Sequence, residues 1–317
     1  MKTALIHRLA AVGSLVVLAA CRTDANGPAL VPNAQVSFSL TSAGWSEPVN
    51  MGSVINSTAA DVNAALSPDE LSLYFTSNRA GGLGDNDIWV AHRDCTDCAW
   101  QTPVNLGEPI NSTAVDAGPR VSNDGHLLFF QSERPGGAGS GDIYVSRRDN
   151  PKDDHGWGQP VPLGADVNTA ANEQAATYLQ SAEDGGGNLY FNRGTAAQPA
   201  DIYYASVSRD GVTAGPAVRV AELNDPTGID QHATVSKDGR EIFISSTRSG
   251  GLGGFDIWTS TRRSVHDPWS APVDLVAPLN TSVNDMQPSL SANGRTLIFA
   301  SNRLGSLGQN DLWMTTR

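Results

Sequence analysis

Five acidic residues recur at a nearly fixed interval along this chain: Asp61, Asp116, Glu173, Asp230 and Asp285, separated by 55, 57, 57 and 55 residues. Carboxylates multiplied by a repeat can serve in three ways. As turn caps they accept backbone N–H bonds, and the Asn-rich stretches just ahead of them (Asn56-Ser57-Thr58, Asn111-Ser112-Thr113, Asn168-Thr169, Asn280-Thr281) offer such donors, so this use ranks first. As a ring of hard oxygen ligands they would converge on Ca²⁺ or a cationic ligand. As a glycosidase pair, a Glu acid and an Asp base or nucleophile would flank a sugar bond. That chemistry needs an acid and a base in unlike surroundings, and equivalent positions supply like ones. The leading expectation is therefore no catalytic residue and no cofactor, with Ca²⁺ at the ring as the metal alternative.

What asymmetry there is sits at two places. Repeat three has Glu173 for Asp, and Gly194-Thr195-Ala196-Ala197-Gln198-Pro199 where the others have a double-Gly loop. Two residues beyond each ring position the chain reads Asn63, Gly118, Ala175, His232 and Gln287. The catalytic alternative is thus Glu173 with Asp61, Asp116, Asp230, Asp285 and His232, although a lone channel histidine is more simply a hydrogen-bonded filler.

A second set repeats too. Arg79, Arg134, Arg193, Arg248 and Arg303 each stand eight residues before Asp87, Asp142, Asp201, Asp256 and Asp311. An Arg fork facing a carboxylate across a hairpin would tie the turn, so five structural pairs are expected. The Gly-rich loops between them (Gly81-Gly82-Leu83-Gly84 and equivalents) lack the Lys-Ser/Thr of a phosphate loop. Cys95 and Cys98, alone as CTDC, are expected to close a local disulfide.

These residues need strands to hold them. WSEPVNMG at Trp45 returns as WQTPVNLG, WGQPVPLG and WSAPVDLV, and each repeat carries four short strand signals divided by turn residues. In the first these cover residues 60–67, 71–77, 86–93 and 100–106. The second strand is apolar on both faces, as in Leu73-Tyr74-Phe75 and Ile242-Phe243-Ile244, and such a strand lies between two packed layers. Radial four-stranded sheets meet that demand, giving an all-β, five-bladed β-propeller. The last repeat stops at Arg317 without its fourth strand, and residues 45–51 look like that missing strand, closing the ring from the N-terminus.

Before the ring, Lys2 and Arg8 lead an apolar stretch ending Leu18-Ala19-Ala20-Cys21, the pattern of a lipoprotein leader. The expected organisation is a leader over 1–20, a tether over 21–35 starting at the lipidated Cys21, and the propeller over 36–317. With 21 Lys+Arg against 33 Asp+Glu, nucleic acid is excluded as a partner. The membrane is then reached only through the lipid.

LSPDELSLYFTSNR and VSKDGREIFISSTR, each followed by DIW, resemble the WD-like repeat of the TolB type over about residues 45–317. The longer form of the motif is similar to repeats of bacterial envelope proteins. The resemblance is specific for fold and not for function; the expectation is a monomeric, non-catalytic binding or scaffolding module with an envelope protein or glycan as partner, held at the outer membrane, facing periplasm or surface, because Arg22 rather than Asp follows Cys21. A carbohydrate-active hydrolase or lyase working at an acidic channel mouth is the alternative.

Overall fold

The computed structural model describes residues 44–180, 186–211 and 215–317. The leader, Cys21 and the tether lie outside the described residues. Strand β1 (Val49–Asn50) and a one-turn helix α1 (Gly52–Ile55) precede the first blade, made of β2 (Asp61–Leu66), β3 (Ser72–Ser77), β4 (Asp87–His92) and β5 (Val104–Asn105). Blade two is β6 (Asp116–Val121), β7 (Leu127–Ser132), β8 (Asp142–Arg147) and β9 (Val161–Pro162). Blade three is longer: β10 (Asn172–Gln180), β11 (Gly187–Thr195), β12 (Gln198–Val207) and β13 (Val218–Arg219). Blade four is β14 (Asp230–Val235), β15 (Glu241–Ser246), β16 (Asp256–Thr261) and β17 (Val273–Asp274). Blade five is β18 (Asp285–Leu290), β19 (Thr296–Ser301) and β20 (Asp311–Thr316), and β1 is its fourth strand. The five-bladed propeller and its closure by the N-terminal strand are thereby established.

The outer strands span two residues rather than the seven read from sequence. Each Trp of the repeat is followed three residues later by Pro48, Pro103, Pro160 or Pro272, and a residue without N–H cannot extend the ladder. The Trp side chains carry an Arg instead, with Arg93, Arg148, Arg262 and Arg317 lying 4.1–4.5 Å above Trp100, Trp157, Trp269 and Trp45. In the inner hairpins Gly125, Gly239 and Gly294 hold the left-handed turn position, which Glu70 takes in blade one.

The core is not central but divided among five seams, one between each pair of blades. Tyr74 and Ile88 of blade one pack on Leu128 and Phe130 of blade two, while Leu73 and Phe75 face Ile298 and Leu312 of blade five. This explains the second strand's apolarity on both faces: each fully buried aliphatic or aromatic side chain contributes about 1.5–3 kcal/mol. A repeated asparagine stitches each seam. Asn111 accepts from Ile88 N and donates to Ile88 O, both at 2.9 Å, standing in for a strand neighbour. Asn168, Asn224 and Asn280 do the same to Ile143, Ile202 and Ile257, and Asn56 closes the ring on Leu312.

Candidate functional site

Four ring carboxylates open their inner strands, Glu173 is the second residue of its own, and all five are fully buried. One oxygen of each meets an arginine: Arg79–Asp61 at 2.5 Å, Arg134–Asp116 at 2.7 Å, Arg193–Glu173 at 2.8 Å, Arg248–Asp230 at 2.6 Å and Arg303–Asp285 at 2.5 Å. A backbone N–H of the preceding loop donates to the same carboxyl group, from Ser57, Ser112, Thr169, Asp225 and Thr281, over 2.5–3.0 Å. None of these carboxylates lines the blade-three clefts, the cleft between blades four and five, or the channel mouth around Arg120. Asp61, Asp116, Glu173, Asp230 and Asp285 thus have the local donors that a turn cap requires. Among the described residues no group of three or more His, Cys, Asp or Glu is arranged to hold a metal ion.

The eight-residue Arg–Asp pairs are a further correction. Arg79 Nε binds Ser77 Oγ at 3.0 Å, which turns the guanidinium back toward Asp61 and Ile55 O. Asp87 instead accepts from Leu83 N, Gly84 N and Asn105 Nδ2, so the glycine loop is a nest of amides built around that carboxylate. Asp142, Asp256 and Asp311 accept from their own glycine loops in the same way. The loop's last glycine also touches the next blade: a Cβ on Gly253 would stand 1.9 Å from Val283 O. Blade three has no such nest, and there Asp201 is forked by Arg219 at 2.7 and 3.0 Å.

Asn63, Gly118, Ala175, His232 and Gln287 all adopt positive φ, at the bulge that interrupts every inner strand. His232 is buried in the channel; burial first, and then the Arg120 charge, push its pKa down to about 3. His232 is therefore neutral near pH 7, and it lines neither the blade-three clefts nor the cleft between blades four and five. Arg120 went unread in the sequence. It is the only charged residue of the five inner strands apart from the ring acids, and that was the available signal. It is buried and donates to Ala64 O, Pro119 O and Pro288 O from three blades. Cys95 and Cys98 form a disulfide on blade one.

The conspicuous opening lies where the repeat breaks down. Without its glycine loop, blade three extends β11 and β12 into a hairpin, and a cleft of ≈ 500 Å³ runs beside it to the inner strands of blades three and four. Five amides stand among its lining residues: Asn172, Gln174, Asn192, Gln198 and Gln231. Around the hairpin it continues into a second cleft of ≈ 320 Å³ with Asp201, Asp225, Tyr203 and Arg219 on its walls. Asp225 stands where other repeats have Ser or Thr. Its Oδ1 accepts from Thr227 Oγ1, Thr227 N and Gly228 N, which holds the carboxyl below its ordinary pKa, the Thr227 hydroxyl contributing most. Oδ2 takes none of these bonds.

No protein-family model matches the chain, and no curated protein does. Solved structures do match. A thermostable family-43 glycoside hydrolase overlaps at a TM-score of 0.58 with 12% identity, covering 82% of this chain and 89% of that one. The α-L-arabinofuranosidase PaAbf62A from Podospora anserina, in complex with cellotriose, overlaps at 0.59 with 10% identity over 84% and 94%. TolB from Acinetobacter baumannii reaches 0.49 with 18% identity, over 83% and 55%. At these identities the likeness establishes a shared fold. Glycoside hydrolases are thus among the proteins that share this fold, and the expectation of a non-catalytic scaffold, with its leaning against an enzyme, is corrected accordingly and not carried further.

Proposed function

We propose that this protein is a carbohydrate-active hydrolase whose substrate lies in the blade-three cleft. The observation that carries the proposal is the break in five-fold equivalence. Only blade three gives up the glycine nest, and at that place the structure opens beside the channel with amides, a tyrosine and two carboxylates. Amide side chains match the paired donor and acceptor character of sugar hydroxyls. Hydrolysis of a glycosidic bond needs two carboxyl groups of unlike role. Asp225, kept ionised by its three donors, suits the base or nucleophile; Asp201, oriented by the Arg219 fork, is the second carboxyl group. Pentose-containing oligosaccharides are the substrate class to try first, because the neighbours include arabinofuranosidases and complexes with xylotriose.

The test is a screen of the mature protein on arabino- and xylo-oligosaccharides, with Asp225→Asn, Asp201→Asn and Glu173→Gln alongside. Turnover lost in Asp225→Asn at an unchanged melting temperature supports the proposal. Absence of turnover on every glycan, or full activity in both Asp225→Asn and Asp201→Asn, overturns it. The proposal extends to location: an exported chain acylated at Cys21 and held at the outer membrane, with an envelope glycan as partner. Intact-mass analysis of a mature chain starting at an unacylated Cys21 would refute that part.

A further inference from the structure

The opposite face of the disc carries a different chemistry. Between the hairpins of blades four and five runs a cleft of ≈ 540 Å³ lined by Lys237, Arg240, Arg262, Arg263 and Arg317, against only Asp238 and Glu241. The whole chain carries a formal charge of −12, so a cleft with five cations and two carboxylates runs against the protein's average. Both carboxylates are already engaged, Asp238 by Arg240 at 2.8 Å and Glu241 by the Arg317 fork at 2.9 and 2.5 Å. Lys237 and Arg263 are exposed and, among the described residues, have neither an ion pair nor a hydrogen bond through their side chains. Arg262 is held over Trp269 and bonded through Nε to Gly239 O, while its buried Nη2 has no partner.

Lys237 and Ala292 also belong to the rim of the channel mouth on this side, where Arg120 forms part of the wall. The guanidinium of Arg120 faces backbone carbonyls and Thr177 Oγ1, and among the described residues no carboxylate lies in ion-pair distance. Desolvation lowers its pKa only to about 10, which leaves it charged at neutral pH. A buried cation without a counter-charge adds to the positive potential of the adjoining cleft, and water-poor walls focus that field. Arg262 and Arg263 offer guanidinium groups, whose geometry suits the paired oxygens of carboxylate or phosphate, and Lys237 adds an ammonium beside them.

We infer that the blade four–five cleft is a binding site for a multiply charged oxyanion, seated on Lys237, Arg262 and Arg263 and separate from the blade-three cleft. The ligand presents at least two negative charges, as carboxylates of an acidic saccharide or as phosphate groups. Calorimetric titration of the mature protein at low salt with trigalacturonate and with inorganic pyrophosphate tests this and tells the two sources apart. Saturable one-to-one binding of either probe is expected. It should weaken by about tenfold or more in Lys237→Gln/Arg263→Gln, the size of one lost charge-assisted hydrogen bond. Binding should persist in Asp225→Asn and in Arg147→Gln/Lys152→Gln, which removes two exposed cations elsewhere. No saturable binding of either probe below about 10 mM, or equal binding by both double variants, overturns the inference. Loss of binding in Asp225→Asn does so too, because the probe would then occupy the other cleft.

Discussion

Replacing Arg248 by methionine should remove more stability than any exposed arginine can. Arg248 gives Nη2 to Asp230 Oδ1 and to Leu223 O, each at 2.6 Å, and Nε to Ser246 Oγ at 2.8 Å. The two side chains are 9% and 0% exposed, so the pair sits beyond effective solvent screening. Without the guanidinium, Asp230 keeps the Asp225 N–H on Oδ2, and Oδ1 becomes an unmatched buried charge. Breaking a buried pair in this way costs about 3–5 kcal/mol. Arg219–Asp201 is a sharp comparison: it has two good hydrogen bonds, but its side chains are 40% and 25% exposed, and such pairs contribute about 1 kcal/mol or less. Urea unfolding of Arg248→Met and Arg219→Met should therefore differ by about 2–4 kcal/mol. In Arg248→Met/Asp230→Asn the stranded charge is gone, so part of the loss should return as a coupling energy. If Arg248→Met costs no more than Arg219→Met, the view that the ring acids are buried charges held by their arginines is wrong.

Other perturbations follow from the same geometry. His232 has its pKa lowered to about 3 from an ordinary 6.5, so the unfolded chain binds its proton first and stability falls as pH drops from 6.5 toward 3, by several kcal/mol at about 1.4 per unit. His232→Asn, which tolerates the left-handed backbone, should flatten that part of the pH–stability curve measured by denaturant titration. Gly253→Ala meets the Val283 carbonyl and should cost more than about 2 kcal/mol, whereas Gly164→Ala, with nothing within 4 Å, should change stability by about 0.5 kcal/mol or less. A chain beginning after Gly52 loses Trp45, 1% exposed, together with β1, and should aggregate or melt far below the mature protein in light-scattering and calorimetric scans.

The fold was legible because the repeat writes the same instructions five times. Turn residues between short strand signals and a second strand apolar on both faces, repeated five times, together point to radial four-stranded blades. Partner choice was less legible. Arg79 stands eight residues from Asp87 and eighteen from Asp61, and spacing alone favoured the nearer. Only the structure reveals that Ser77 turns the arginine away and that glycine amides have already satisfied Asp87. The candidate cleft was half legible: the missing glycines of blade three could be read, but that Asp201, Asp225 and Arg219 line one opening depends on how distant segments meet in space. Arg120 could have been noticed as a charge within an inner strand, yet nothing in the sequence tells which carbonyls it meets.

The asparagine stitches have a bearing on how the ring assembles and fails. Four of them join residues 22–25 apart in the chain, whereas Asn56 and Leu312 are 256 apart. The bonds are chemically the same, but bringing distant partners together costs about 0.6 kcal/mol for each doubling of the loop, or roughly 2 kcal/mol more for this seam. Four junctions can therefore zip up in succession as local events, and the fifth waits for the whole circle. The seam between blades five and one is therefore expected to close last during folding and to part first under stress. A partly denatured molecule is thus an arc, gaping at β1 while its other four joints still hold.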